Sequence, residues 1–262
     1  SMSLREIAAA LPNKSLISRL VELDAEEFIV AQEKCLEFIE DLDCLYFELP
    51  IRSRDDGDDR AKRSTILPRG RVNGFGGDFV AVSYTWNPSP AFERESLTGG
   101  YLVEERRSNE VKPSPVRNSV FDRLGEYIEY LEDLEYQKDK DGGKRGKYFW
   151  IDQHCIEQER GPEKEMGMQV MDLVYGYSEY PVALLARPIQ SVAELDLLAC
   201  ILDGDFVNSN LKLSSKASSP LGLEAMELLK EITDDLWWTR GWTFQENYRS
   251  LPKMKLLMPH TL

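Results

Sequence analysis

The chain has 262 residues, 42% of them hydrophobic, which is enough apolar matter for a sizeable core and excludes global disorder. Acidic residues outnumber basic ones 46 to 32, for a net charge of −14, so broad docking onto nucleic-acid backbones or anionic lipid is disfavoured. Four cysteines without a C-x-x-C pair and only two histidines, His154 and His260, argue against a zinc site, and the expected setting is cytoplasmic with reduced thiols.

Residues 3–49 read as a helical segment packed on the main domain. Asp24 and Glu27 have capping-box spacing, and Phe28, Ala31, Cys35, Phe38, Ile39 and Leu42 recur at helical steps. Residues 52–77, rich in Arg, Asp and Gly, read as a loop. Its Gly74-Phe75-Gly76-Gly77 lacks the Lys-Ser/Thr of a phosphate loop and precedes a strand instead of following one. Phe79 to Tyr84, apolar but for Ser83, is expected to be a strand buried on both faces. Residues 87–115 read as an irregular excursion. A helix is expected from Pro115 to about Gln137, with Val116, Val120, Leu124, Tyr127, Leu131 and Leu134 inward.

Tyr148-Phe149-Trp150-Ile151 is a second buried strand, with Asp152 at its exit. Pro162 opens a helix whose inner side carries Met166, Val170, Leu173, Val174 and Tyr177; Tyr180 to Ala186 is a third strand. Helices are expected over 191–203 and 220–236, a helical turn from Arg240 to Tyr248, and a late strand over Lys253 to Met258. Alternating strands and helices imply an α/β fold with a parallel sheet flanked by helices. The strand exits Ser83-Tyr84-Thr85, Asp152-Gln153 and Arg187 then share one sheet edge, where such folds place their ligands.

Three segments together resemble the fungal heterokaryon incompatibility (HET) domain: Ala81-Val82-Ser83-Tyr84-Thr85-Trp86, Trp150 to Gln158, and Arg240-Gly241-Trp242-Thr243-Phe244-Gln245-Glu246. Glu165, Gln169, Met171 and Tyr175 fit the family's intervening helix. The sequence departs from the family at Asn87, Glu157 and Leu185-Ala186-Arg187. The resemblance implies a HET domain over 78–262, a flavodoxin-like sheet similar to that of TIR domains, and a role in non-self recognition and regulated cell death. It also implies self-association and an upstream sensor or signalling partner.

By the same likeness, Trp242 to Glu246 stands where enzymatic TIR domains carry the glutamate that cleaves NAD, which makes Glu246 the candidate catalytic carboxylate and NAD the candidate substrate. Ser83, Tyr84, Trp86, Asp152, Gln153, Arg240 and Trp242 are the candidate nucleotide-binding residues. Tyr84, Trp86 and Trp242 offer faces for stacking, and Arg240 offers a fork for the pyrophosphate. Each has a plainer reading: a helix-dipole partner for Glu246, a turn cap for Asp152, core aromatics for the tryptophans. Two rivals stay open. One is a non-enzymatic signalling module that binds a nucleotide or partner domain; the other is a hydrolase using Cys155, for which adjacent His154 is poorly placed.

Overall fold

The computed structural model describes residues 32–48, 65–92, 97–108, 110–138, 147–210, 212–241, 246, 249–250 and 252–260. The expected cap at Asp24 to Glu27, the charged turn over 139–146 and the segment Trp242 to Gln245 lie outside them.

A helix over 32–40 (α1) turns Cys35, Phe38 and Ile39 inward and leads into strand β1, Leu42–Tyr46. β2 (Thr65–Leu67) and β3 (Arg69–Val72) follow, then β4 (Phe79–Tyr84), β5 (Tyr101–Glu104) and β6 (Val111–Pro113). α2 (Asn118–Lys138) precedes β7 (Tyr148–Ile151). The short α3 (Asp152–Cys155), α4 (Pro162–Tyr177), β8 (Val182–Leu184), α5 (Val192–Leu202), α6 (Pro220–Thr233) and β9 (Lys255–Leu257) complete the described elements.

The main sheet has the order β3-β1-β7-β4-β8-β9. β7, β4, β8 and β9 run parallel, and β1 adds antiparallel to β7 and to β3. Counted along the chain, the parallel strands are arranged second, first, third, fourth. That is the flavodoxin-like order, with its switch point between β4 and β8. The α/β expectation therefore holds, with an antiparallel extension.

β4 and β8 are buried throughout, as strands of a doubly covered sheet should be. Neighbours on β7 show which helix covers which face. Phe149 meets Phe121 of α2, and Trp150 meets Tyr175 of α4 edge-on at 6.0 Å. Successive strand residues point to opposite faces, so α2 and α4 lie on opposite sides. Each fully buried aromatic of this kind contributes about 2 kcal/mol. Gly167 lets α4 approach the chain after β7: a Cβ there would stand 2.6 Å from Ile156 Cγ2.

Several expectations are corrected. Residues 42–46 are a strand, not the end of the N-terminal helix, because pairing with β3 and β7 overrides a short helical period. Residues 65–72 are two strands, not loop. β3, Arg-Gly-Arg-Val, is an edge strand, and its polar composition hides it. Its Gly70 accommodates the Tyr148 ring, whose Cε1 would lie 2.4 Å from an added Cβ. The excursion over 87–115 contains β5 and β6, which join β2 in a three-stranded sheet. Tyr177 is exposed, not inward.

Around β8, a second apolar cluster gathers Leu185, Leu197, Ala225, Leu228, Ile232 and Trp237, seating α5 and α6. No helix among the described residues is long and apolar enough to cross a membrane.

Candidate functional site

The carboxyl ends of β4 and β7 emerge side by side, because Val82 pairs with Ile151. Strand alternation sends Ser83 and Tyr84 to opposite faces. Tyr84 reaches across to α3, where its hydroxyl donates to Gln153 Oε1 at 2.7 Å. Just past the strand, Trp86 turns outward, the residue 49% exposed, and its Nε1–H donates to Asp152 Oδ2 at 2.9 Å. The other oxygen, Asp152 Oδ1, accepts from the backbone N–H of Gln153 at 2.7 Å. Asp152 thus serves its own turn and the neighbouring strand exit at once. Buried Arg117 fixes that exit from below by donating to the carbonyls of Thr85 at 2.7 Å and Trp86 at 3.1 Å.

On the other face, Ser83 is 1% exposed. Its hydroxyl donates to Glu246 Oε2 and accepts from Trp237 Nε1 at 2.7 Å. Tyr175 of α4 donates to the Val82 carbonyl at 2.9 Å and lies beside Ser83. Arg240 closes the arrangement. Its guanidinium donates to the Tyr84 carbonyl and stands 3.8 Å from Glu246 Oε1. Glu246 itself is 2% exposed.

The electrostatics follow from this packing. Burial raises the Glu246 carboxyl above its ordinary range, Asp152 adds to the rise, and Arg240 with Ser83 opposes it. Asp152 is also raised by burial, against the pull of Trp86, Arg240 and the Gln153 amide. Tyr84 and Tyr175 are held well above the usual phenol range, first by burial. Two carboxylates that titrate upward beside one guanidinium form the charged centre of this edge.

Ser83, Tyr84, Trp86, Asp152, Gln153, Arg240 and Glu246 therefore meet at one sheet edge; Trp242 lies outside the described residues. They differ in what they present. Trp86, Asp152, Gln153 and Arg240 retain solvent contact, whereas Ser83, Tyr84 and Glu246 are buried. Arg187 does not join them. It turns into the second cluster, 1% exposed, and pairs with Glu194 at 3.0 Å and Glu231 at 2.7 Å. Trp237 and Arg117 belong to the site although the strand-exit pattern did not mark them; in the sequence Trp237 is simply a core aromatic, and the partner of its N–H is invisible.

Cys155 is fully buried and its thiol is pushed up to about 12, mainly by desolvation, so it is not a poised nucleophile. His154 faces away from this edge. Its Nε2 lies 2.7 Å from Ser114 Oγ, and burial with nearby Arg69 pushes it down to about 4. Among the described residues, no group of three His, Cys, Asp or Glu side chains is placed to hold a metal ion.

The family described as Heterokaryon incompatibility protein (HET) matches residues 79–246, which begin with β4 and end on Glu246. No curated protein and no solved structure matches the chain.

Proposed function

The chain belongs to the heterokaryon incompatibility family, which matches it from β4 to Glu246, and from that premise we propose that it is a cell-death effector of fungal non-self recognition that cleaves the nicotinamide–ribose bond of NAD when self-associated. The observation that supports the chemistry is the meeting of Asp152 and Glu246 around Arg240 at the carboxyl edge of the sheet.

Nicotinamide departs as a neutral pyridine, taking the electrons of the glycosidic bond, so no acid has to protonate it. The ribose is left as an oxocarbenium-like cation. A carboxylate preorganised beneath it stabilises that charge. Water then adds at the anomeric carbon and releases its proton to solvent. Arg240 suits the pyrophosphate, and the exposed ring of Trp86, held by Asp152, suits a base. Because Glu246 is 2% exposed in this form, self-association has to present it to the ribose.

That burial also favours a second reading, a signalling module that binds a nucleotide or partner domain at this edge without turnover. Incubating assembled protein with NAD and following nicotinamide release separates the two. Cleavage predicts release from wild type and its loss in Glu246→Gln. Thermal stabilisation by NAD without release supports the module, and equal release from both proteins removes Glu246 from the mechanism.

A further inference from the structure

We propose that Trp237 and Ser83 are the positioning pair of this edge: the indole N–H fixes the serine hydroxyl so that its single proton is directed onto Glu246, which orients one carboxylate oxygen toward β4 and leaves the other facing Arg240. Proton counting fixes the direction of each bond. An indole nitrogen donates and never accepts. Trp237 Nε1 lies 2.7 Å from Ser83 Oγ, so Ser83 must accept there. Its own proton is then left for one of two neighbours, the Tyr175 phenol or Glu246 Oε2. Tyr175 spends its proton on the Val82 carbonyl and is a neutral acceptor; the carboxylate is the stronger one. The relay therefore runs one way, Trp237 to Ser83 to Glu246.

The pair spans the fold. Ser83 sits at the end of β4, and Trp237 sits in the turn after α6, where Asp235 Oδ1 accepts from its backbone N–H at 2.9 Å. Asp235 Oδ2 meanwhile accepts from the backbone N–H groups of Ala186 and Arg187 beyond β8. The indole is thus held by the third parallel strand while it orders a side chain of the first. Such a carboxylate is aimed before any ligand arrives, which is what electrostatic stabilisation of a developing cation requires.

The catalytic value of the relay rests on the NAD-cleaving reading, but its existence does not. The groups that face Glu246 are Ser83 on β4, Asp152 on α3, Tyr175 on α4 and Arg240 after Trp237. The test is the titration midpoint of Glu246 in the whole chain, read by carboxyl-labelled NMR with Glu246→Gln as the assignment. Ser83→Ala should raise the midpoint by about one unit, the loss of one hydrogen bond to a charged group. Trp237→Phe keeps an aromatic ring but removes the N–H donor, frees the serine proton, and should shift the midpoint in the same direction. The double variant should add nothing to Ser83→Ala, because the two act in series.

An unmoved midpoint in Ser83→Ala overturns the relay, and that variant alone decides should Trp237→Phe fail to fold. A shift in Ser83→Ala with none in Trp237→Phe overturns the role of the indole. Nicotinamide release from assembled protein is scored separately. Its absence would sink NAD cleavage while the midpoints still decide the relay.

Discussion

Trp86 and Asp152 stand 66 positions apart in the chain, yet the indole of one donates to the carboxylate of the other at 2.9 Å. The bond ties the exit of β4 to the exit of β7 through side chains, beyond the last backbone pairing. It is a charge-assisted hydrogen bond on the solvent side of the sheet edge. Trp86→Phe should destabilise the chain by about 1 kcal/mol in chemical denaturation and raise Asp152 further, because a donor to its charged form is lost. A titration of Asp152 indifferent to this substitution would show that the indole does not support the carboxylate.

His154 gives a pH dependence with a definite sign. Its folded value, about 4, lies below the ordinary 6.5, so the unfolded chain binds the proton more readily between those values. The neutral imidazole contributes stability that is present above pH 6.5 and lost as pH falls toward 4. Between pH 7 and pH 5 the loss is about 2 kcal/mol. Glu246 and Asp152 act oppositely. Their raised carboxyls favour the folded state below the usual carboxylate range, and this contribution is lost as pH rises through their folded values. Urea denaturation of wild type and His154→Gln at the two pH values isolates the histidine. Parallel stability curves would refute the assignment.

Cys155 should resist alkylation at neutral pH until the chain unfolds, since its sulfur is buried and its thiol pushed up to about 12. Half-buried Cys200 serves as the internal reference. Peptide mapping after brief iodoacetamide treatment should find Cys200 labelled and Cys155 intact. Rapid modification of Cys155 would revive the thiol-hydrolase reading.

Arg187 is the polar anchor of the second cluster. Truncation in Arg187→Met strands Glu194 beside an apolar surface and removes both ion pairs. The expected cost is about 2 to 3 kcal/mol, less than for a sealed pair because Glu231 is exposed. The melting temperature should fall, and hydrogen exchange should rise first in α5 and α6. A uniform rise across the sheet would contradict a local role.

The parallel core was legible in the sequence because Phe79 to Tyr84 (apolar but for Ser83), Tyr148 to Ile151 and Val182 to Leu184 are short apolar runs separated by helical periods. β1, β2, β3, β5 and β6 were not. Their residues alternate or mix polar with apolar, as in Arg69–Val72 and Val111–Pro113, and what makes them strands is the partner each pairs with, not a local pattern. At the site, strand exits named the right rim. They did not reveal which side chains turn inward: Ser83 and Tyr84 are both inside the strand's end, and Arg187 leaves the rim for α5 and α6. Nor does a sequence state that a tryptophan N–H needs an acceptor and will find one on another strand.

The stretch that matches the family starts at Phe79, but the strand hydrogen-bonded to the open flank of β7 comes from Leu42–Tyr46. Cutting the gene at the start of the match would uncover the flank of β7 that pairs with β1 at Tyr148 and Phe149, leaving the backbone groups on that side unpaired at an apolar margin, a template for sticking to other copies. Workers who express the matched stretch by itself should expect insoluble material, and a soluble fragment should need to begin ahead of Leu42.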